Sequence, residues 1–72
     1  MLNNVLNLED ALDALKSNKI DDALKIFLKI LQSDSKNLSV IKNISNIYRT
    51  KKNINKYNFY LRKTASIDKK KL

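Results

Sequence analysis

The chain has 72 residues, a net charge of +8 and no cysteine, histidine, glycine or proline. A chain of this length forms one small domain at most, so we expect a single domain over residues 1–72. The missing residue types argue against a disulfide framework, a zinc site and a glycine-rich phosphate loop, and they disfavour tight β-turns. The composition therefore favours an all-α fold with asparagine and serine at its turns.

Targeting signals are not evident in the sequence. No apolar run approaches the length of a membrane span, and the N-terminal residues lack the pattern of a secretory signal. A cysteine-free sequence fits a reducing compartment, so we expect a cytoplasmic location. The abundance of lysine, asparagine and isoleucine is typical of coding bias in an AT-rich genome, which weakens the significance of any single lysine or asparagine.

The positive charge is concentrated in the second half of the chain. Residues 1–36 contain six acidic and five basic side chains, whereas residues 37–72 contain one acidic and ten basic ones. This asymmetry suggests an acidic partner, a nucleic acid or an anionic surface. A solvated lysine-rich surface with a frayed basic tail, residues 68–72, is the equally acceptable structural explanation.

Four amphipathic helices separated by short polar turns are predicted from the spacing of apolar residues. They lie within residues 1–17, from Ile20 to about Gln32, from about Leu38 to Thr50, and from about Ile54 to Ile67. Asn7 or an earlier asparagine is expected to cap the first helix. The second helix is apolar over more than half its circumference, so it must be covered on two sides. In the fourth helix we expect these residues to face inward: Tyr57, Tyr60, Leu61, Thr64 and Ala65.

The two halves of the chain form a repeat with a period of 34 residues. Ile20 then corresponds to Ile54 and Phe27 to Leu61, and the turn at 18–19 corresponds to the turn at 52–53. The spacing Ile41-x2-Ile44-Ser45-x2-Tyr48 and the pair Ala23-x3-Phe27 resemble the two helices of the tetratricopeptide repeat. The resemblance covers about residues 4–69, with repeat one at about 4–37 and repeat two at about 38–69.

Both repeats are degenerate. Asn7, Asp10 and Ala14 stand where the first helix of repeat one should be apolar or aromatic, and Tyr57 replaces a small residue in repeat two. The resemblance implies two antiparallel helical hairpins stacked as a short right-handed solenoid. A generic four-helix bundle is the alternative fold.

No constellation of residues predicts catalysis. Histidine and cysteine are absent, and the adjacent Asp21 and Asp22 point in different directions on a helix, so they cannot act as a facing pair. We therefore expect a non-enzymatic protein without a metal or cofactor, whose function is binding.

The resemblance implies a groove along the first helix of each repeat that binds a peptide or helix of a partner. Its expected residues are Leu8, Leu12, Leu15 and Lys16 in repeat one and Lys42, Asn46 and Arg49 in repeat two. Burial against the second helix is the competing explanation for the three leucines.

A second candidate surface combines basic and aromatic side chains of the last helix. Its expected residues are Tyr57, Phe59, Tyr60, Arg62 and Lys63. Such a combination also permits nucleic-acid binding by phosphate contacts and base stacking. Core packing is the favoured explanation for Tyr57 and Tyr60, whereas Phe59 lies off the apolar stripe and would mark a contact surface if exposed.

A small protein-interaction module is the favoured function: an adaptor, co-chaperone or assembly factor. Two repeats leave the last hairpin uncovered on one side, because at least three are usually needed for a continuous core. We expect another protein or a second copy of the chain to cover that side. A small basic nucleic-acid-binding protein is the alternative.

Overall fold

The computed structural model describes residues 7–68, and this part of the chain is all-α with four helices and no strand. The helices are α1 (Leu8–Lys16), α2 (Ile20–Ser33), α3 (Leu38–Thr50) and α4 (Ile54–Asp68). Each helix packs on its neighbour in sequence, α1 on α2, α2 on α3 and α3 on α4. The predicted all-α fold of four helices is confirmed. The expected helical start before Asn7 and the tail after Asp68 lie outside the described residues.

The core lies where α2 and α3 meet. Ala23 and Phe27 of α2 are fully buried in one cluster with Val40, Ile44 and Ile47 of α3. The helix α2 is apolar over much of its circumference and is covered on two sides. α3 covers one side, and α1 packs on the other through Ala11. Six of the thirteen residues of α3 are buried, so α3 is the central helix.

The α1–α2 and α3–α4 turns have the same backbone hydrogen-bond pattern. Asn18 and Lys52, 34 positions apart, both have φ of 62°. In each turn, the amide of the next residue donates to a carbonyl five positions before that residue. Lys19 N donates to Ala14 O at 2.8 Å, and Asn53 N donates to Tyr48 O at 2.9 Å. This is the pattern of a Schellman motif with a left-handed residue after the helix. The 34-residue repeat is thus present in the backbone as well as in the sequence.

Asparagine side chains begin three of the four helices. Asn7 accepts a hydrogen bond from the Asp10 amide at 3.1 Å, and Asp10 accepts one from the Asn7 amide at 2.9 Å, which forms a capping box. Asn37 caps α3 by accepting from the Val40 amide, and Asn53 accepts from the Lys56 amide at the start of α4. Of the asparagines predicted as possible caps of the first helix, Asn7 is the one that caps α1.

The inward face of α4 differs from the predicted one. Tyr57, Tyr60 and Thr64 are half-buried as expected, but Leu61 is 44% exposed and Ala65 is also exposed. The prediction placed Leu61 inward on one helical stripe with Tyr57, and its counterpart in α2 is Phe27. Phe27 is covered by α3, whereas no later helix among residues 7–68 covers α4. No residue of α4 within the described part is buried to the extent of those in α2 and α3.

Candidate functional site

A shallow groove is lined by side chains from the end of α1, the start of α2 and one side of α3. Leu15 and Asn46 line it together, so two of the seven predicted groove residues are brought to one place. The other side chains lining it are Ile20, Asn43, Ile47 and Thr50.

The remaining predicted groove residues lie around this groove rather than in it. Lys16, Lys42 and Arg49 are exposed to solvent, Leu8 is half-buried, and Leu12 is 37% exposed. Leu8 and Leu15 both pack against the core, in agreement with the competing structural explanation for them.

The sequence reasoning missed the polar lining contributed by Asn43 and Thr50. Asn43 Nδ2 donates to the Ser39 carbonyl at 2.8 Å, and Thr50 Oγ1 donates to the Asn46 carbonyl at 3.0 Å. The helical spacing of Asn43, Asn46 and Thr50 along α3 was the available signal.

An aromatic cluster occupies the other side of the α3–α4 hairpin. The rings of Tyr48 and Tyr60 stack with centroids 5.8 Å apart, and the Phe59 ring meets the Tyr60 ring edge to face at 5.0 Å. Lys63 Nζ lies 5.8 Å from the Phe59 centroid and Lys56 Nζ lies 5.7 Å from the Tyr48 centroid, within the range of a cation–π interaction.

The predicted second surface is therefore divided between core and solvent. Tyr57 and Tyr60 are half-buried against the core, whereas Phe59 is 59% exposed and Arg62 is exposed. Partial burial raises the pKa of the Tyr60 hydroxyl, and the neighbouring Tyr48 adds to the effect. Lys63 and Tyr60 also line a groove against Leu28 and Leu31 of α2.

A second apolar surface, here called the α4 stripe, consists of Ile54, Leu61 and Ala65. The three residues lie within about 40° of one another around the helix at 100° per residue. Ile54 is 57% and Leu61 is 44% exposed, and Ala65 is exposed as well. The equivalent residues of α2, 34 positions earlier, are Ile20, Phe27 and Leu31, all of which are buried or half-buried.

The α4 stripe has basic side chains along both edges. Tyr48 and Tyr60 face each other across the antiparallel α3–α4 hairpin, so the residues that follow them, Arg49 and Leu61, lie on the same side of it. Lys42 precedes Arg49 by two turns of α3, and Arg62 follows Leu61 on the outer edge of α4. Asp68, at the end of α4, is the one acidic residue in the sequence of α3 and α4.

One ion pair fixes the basic turn after α3 to the start of α2. Lys51 Nζ lies 2.6 Å from Asp21 Oδ1, and this hydrogen bond holds the pKa of the Asp21 carboxyl below its usual range. The side chains of Lys51 and Asp21 are 40% and 77% exposed, so the pair contributes little to stability.

Residues 7–68 contain no group of acidic residues that could hold a metal ion. Within the same residues, no helix is both long and apolar enough to cross a membrane. The arrangement offers exposed apolar and aromatic side chains next to positive charge, which is the chemistry of a binding surface.

Comparison with known proteins gives no family for the chain. The sequence matches no protein-family model, and neither the curated proteins nor the solved structures include a match.

Proposed function

We propose that the protein is a non-catalytic interaction module that binds a helix of another protein on the α4 stripe. The observation that carries this proposal is the contrast between Phe27, which is fully buried, and its counterpart Leu61, which is 44% exposed. In repeat one the position is covered by α3, and in repeat two it lies open. An exposed row of apolar residues, of which Ile54 and Leu61 are large, beside charged ones is typical of a protein-interaction surface.

The proposal includes a tetratricopeptide-like arrangement of the two hairpins. The 34-residue period, the matching turns at Asn18 and Lys52, and the spacing in α2 and α3 support it. An adaptor, co-chaperone or assembly factor of the cytoplasm would have this character. The groove between α1 and α3 would then serve as an additional peptide site.

Site-specific photo-crosslinking in the native cell tests this function. A photoreactive amino acid at position 61 should give a discrete protein adduct, and one at the exposed position Lys29 of α2 should not. The adduct should survive nuclease treatment. Absence of an adduct at position 61, or the same adducts from both positions, would contradict the proposal.

Nucleic-acid binding is a second candidate, favoured by the exposure of Phe59. Its ring is 59% exposed beside Lys63 and Arg62, and could stack on a base while the cations contact phosphates. Affinity for a single-stranded oligonucleotide should then fall steeply between about 50 and 200 mM salt. The Phe59→Ala variant should bind at least severalfold more weakly, and an affinity unaffected by both changes would exclude this function.

A further inference from the structure

The way α3 covers α2 shows what a cover for the α4 stripe must look like. α3 buries Phe27 with three apolar side chains, Val40, Ile44 and Ile47, at positions i, i+4 and i+7 of one helix. Because α4 repeats α2 after 34 residues, Ile54, Leu61 and Ala65 occupy the positions that Ile20, Phe27 and Leu31 occupy in α2. A helix with the same apolar spacing is therefore the complementary shape.

The helix α1 of a second copy does not fit this surface. The residues of α1 that correspond to Ile44 and Ile47 are Asp10 and Asp13. Asp10 is held in the capping box, and Asp13 is exposed. Placing these carboxylates against Leu61 would remove them from water without a partner, which is costly. The positions of α1 that would face the stripe are thus acidic, whereas the stripe itself is apolar.

Pairing of the α4 stripe with itself in a symmetric dimer is opposed by charge. Each copy would bring Lys42, Arg49 and Arg62 to the same interface, and like charges placed opposite one another are repelled. Asp68 is the one acidic residue that α3 and α4 could supply in return. A partner helix with an apolar face and acidic flanks would avoid both the burial of unpaired carboxylates and the repulsion between like charges.

We propose that the α4 stripe binds an acidic amphipathic helix from a different protein, an inference that rests on the proposed function. The helix presents apolar residues with the i, i+4, i+7 spacing of Val40, Ile44 and Ile47, which pack on Ile54, Leu61 and Ala65. Carboxylates on its flanks pair with Arg49 and Lys42 on one side and with Arg62 on the other. Apolar burial supplies the affinity, and charge selects this partner over a second copy.

Two synthetic helical peptides test the proposal with the full chain. Both carry valine and isoleucine at the i, i+4, i+7 spacing, and their flanking positions are glutamate in one and lysine in the other. Fluorescence anisotropy at low salt should show the glutamate peptide binding at least about tenfold more tightly than the lysine peptide. The double variant R49E/R62E should reverse this preference.

The variants Leu61→Asp and Asn18→Asp, each of which lowers the net charge by one, locate the site. Leu61 is 44% exposed and Asn18 is exposed in the α1–α2 turn, so the folded state should tolerate either change, as circular dichroism will verify. Leu61→Asp should weaken binding of the glutamate peptide at least tenfold, and Asn18→Asp should leave it unchanged. Equal effects of the two variants would overturn the assignment of the site.

The outcomes separate this inference from the function on which it depends. Equal binding of the two peptides, or no binding, overturns the inference of an acidic helix, and crosslinking at position 61 still reports on the function independently. A concentration-dependent dimer in sedimentation velocity that Leu61→Asp abolishes would overturn the inference in favour of a second copy.

Discussion

At the scale of single residues, the two repeats place equivalent side chains in opposite environments. Phe27 and Leu61 stand 34 positions apart in the same pattern, yet one is fully buried and the other nearly half-exposed. The burial of Phe27 could be predicted from the type of residue and the spacing of its apolar neighbours. The exposure of Leu61 could not, because burial depends on a neighbouring helix that the local pattern does not encode.

The pair Phe27→Ala and Leu61→Ala measures this difference. Phe27→Ala removes a ring from the core and should lower the free energy of unfolding by about 3–5 kcal/mol, enough to unfold much of a domain this small. Leu61→Ala should cost about 1 kcal/mol or less, because most of the change occurs at the surface. Urea denaturation followed by circular dichroism provides both values, and similar losses would show that α4 is covered.

Tyr60 gives the fold a dependence on alkaline pH. Burial raises the pKa of its hydroxyl in the folded state, so the neutral form is favoured there. The resulting stability is fully present below the unfolded tyrosine pKa of about 10 and is lost as the pH rises through the folded value. Tyr60→Phe should reduce the decline of stability in this range, measured by urea denaturation at a series of pH values. Phe59→Leu is the control, and an unchanged pH profile in Tyr60→Phe would refute the role of Tyr60.

At the scale of helices, prediction succeeded where local signals agree with packing. The stripe of α3 is apolar on the side that is buried, Asn37 caps its start, and its predicted limits, Leu38 and Thr50, are those observed. In α4 the apolar residues spread around the helix, so the inward face predicted from their spacing wrongly included Leu61 and Ala65, which are exposed. The Tyr48–Tyr60 stack, a contact between helices, selects the side that faces inward.

The turn between α3 and α4 contains a removable source of strain. Lys52 has φ of 62°, a left-handed conformation that costs a residue with a Cβ atom about 1 kcal/mol. Lys52→Gly should therefore raise the free energy of unfolding by about 0.5–1 kcal/mol and the midpoint of thermal unfolding by several degrees. Lys51→Gly, at an ordinary φ of −78°, should instead be destabilising. Stabilisation by both changes would point to charge removal as the cause.

At the scale of the whole molecule, the two ends differ in what they expose. Within the described residues, α1 carries more acidic than basic side chains, whereas α3 and α4 expose the apolar α4 stripe and carry mostly basic side chains. The charge asymmetry was predicted from the sequence alone, because counting residues in each half needs no structure. The position of the α4 stripe between Arg49 and Arg62 was not predicted, since it depends on how α3 and α4 are rotated against each other.

A two-dimensional NMR titration of the isotope-labelled chain with the glutamate peptide tests the central claim most directly. The account predicts that amide shifts change mainly along Arg49, Ile54, Leu61 and Ala65, and that α1 stays unaffected. Shift changes confined to the groove at Leu15 and Asn46, or spread evenly over all four helices, would contradict the claim that the α4 stripe is the binding site.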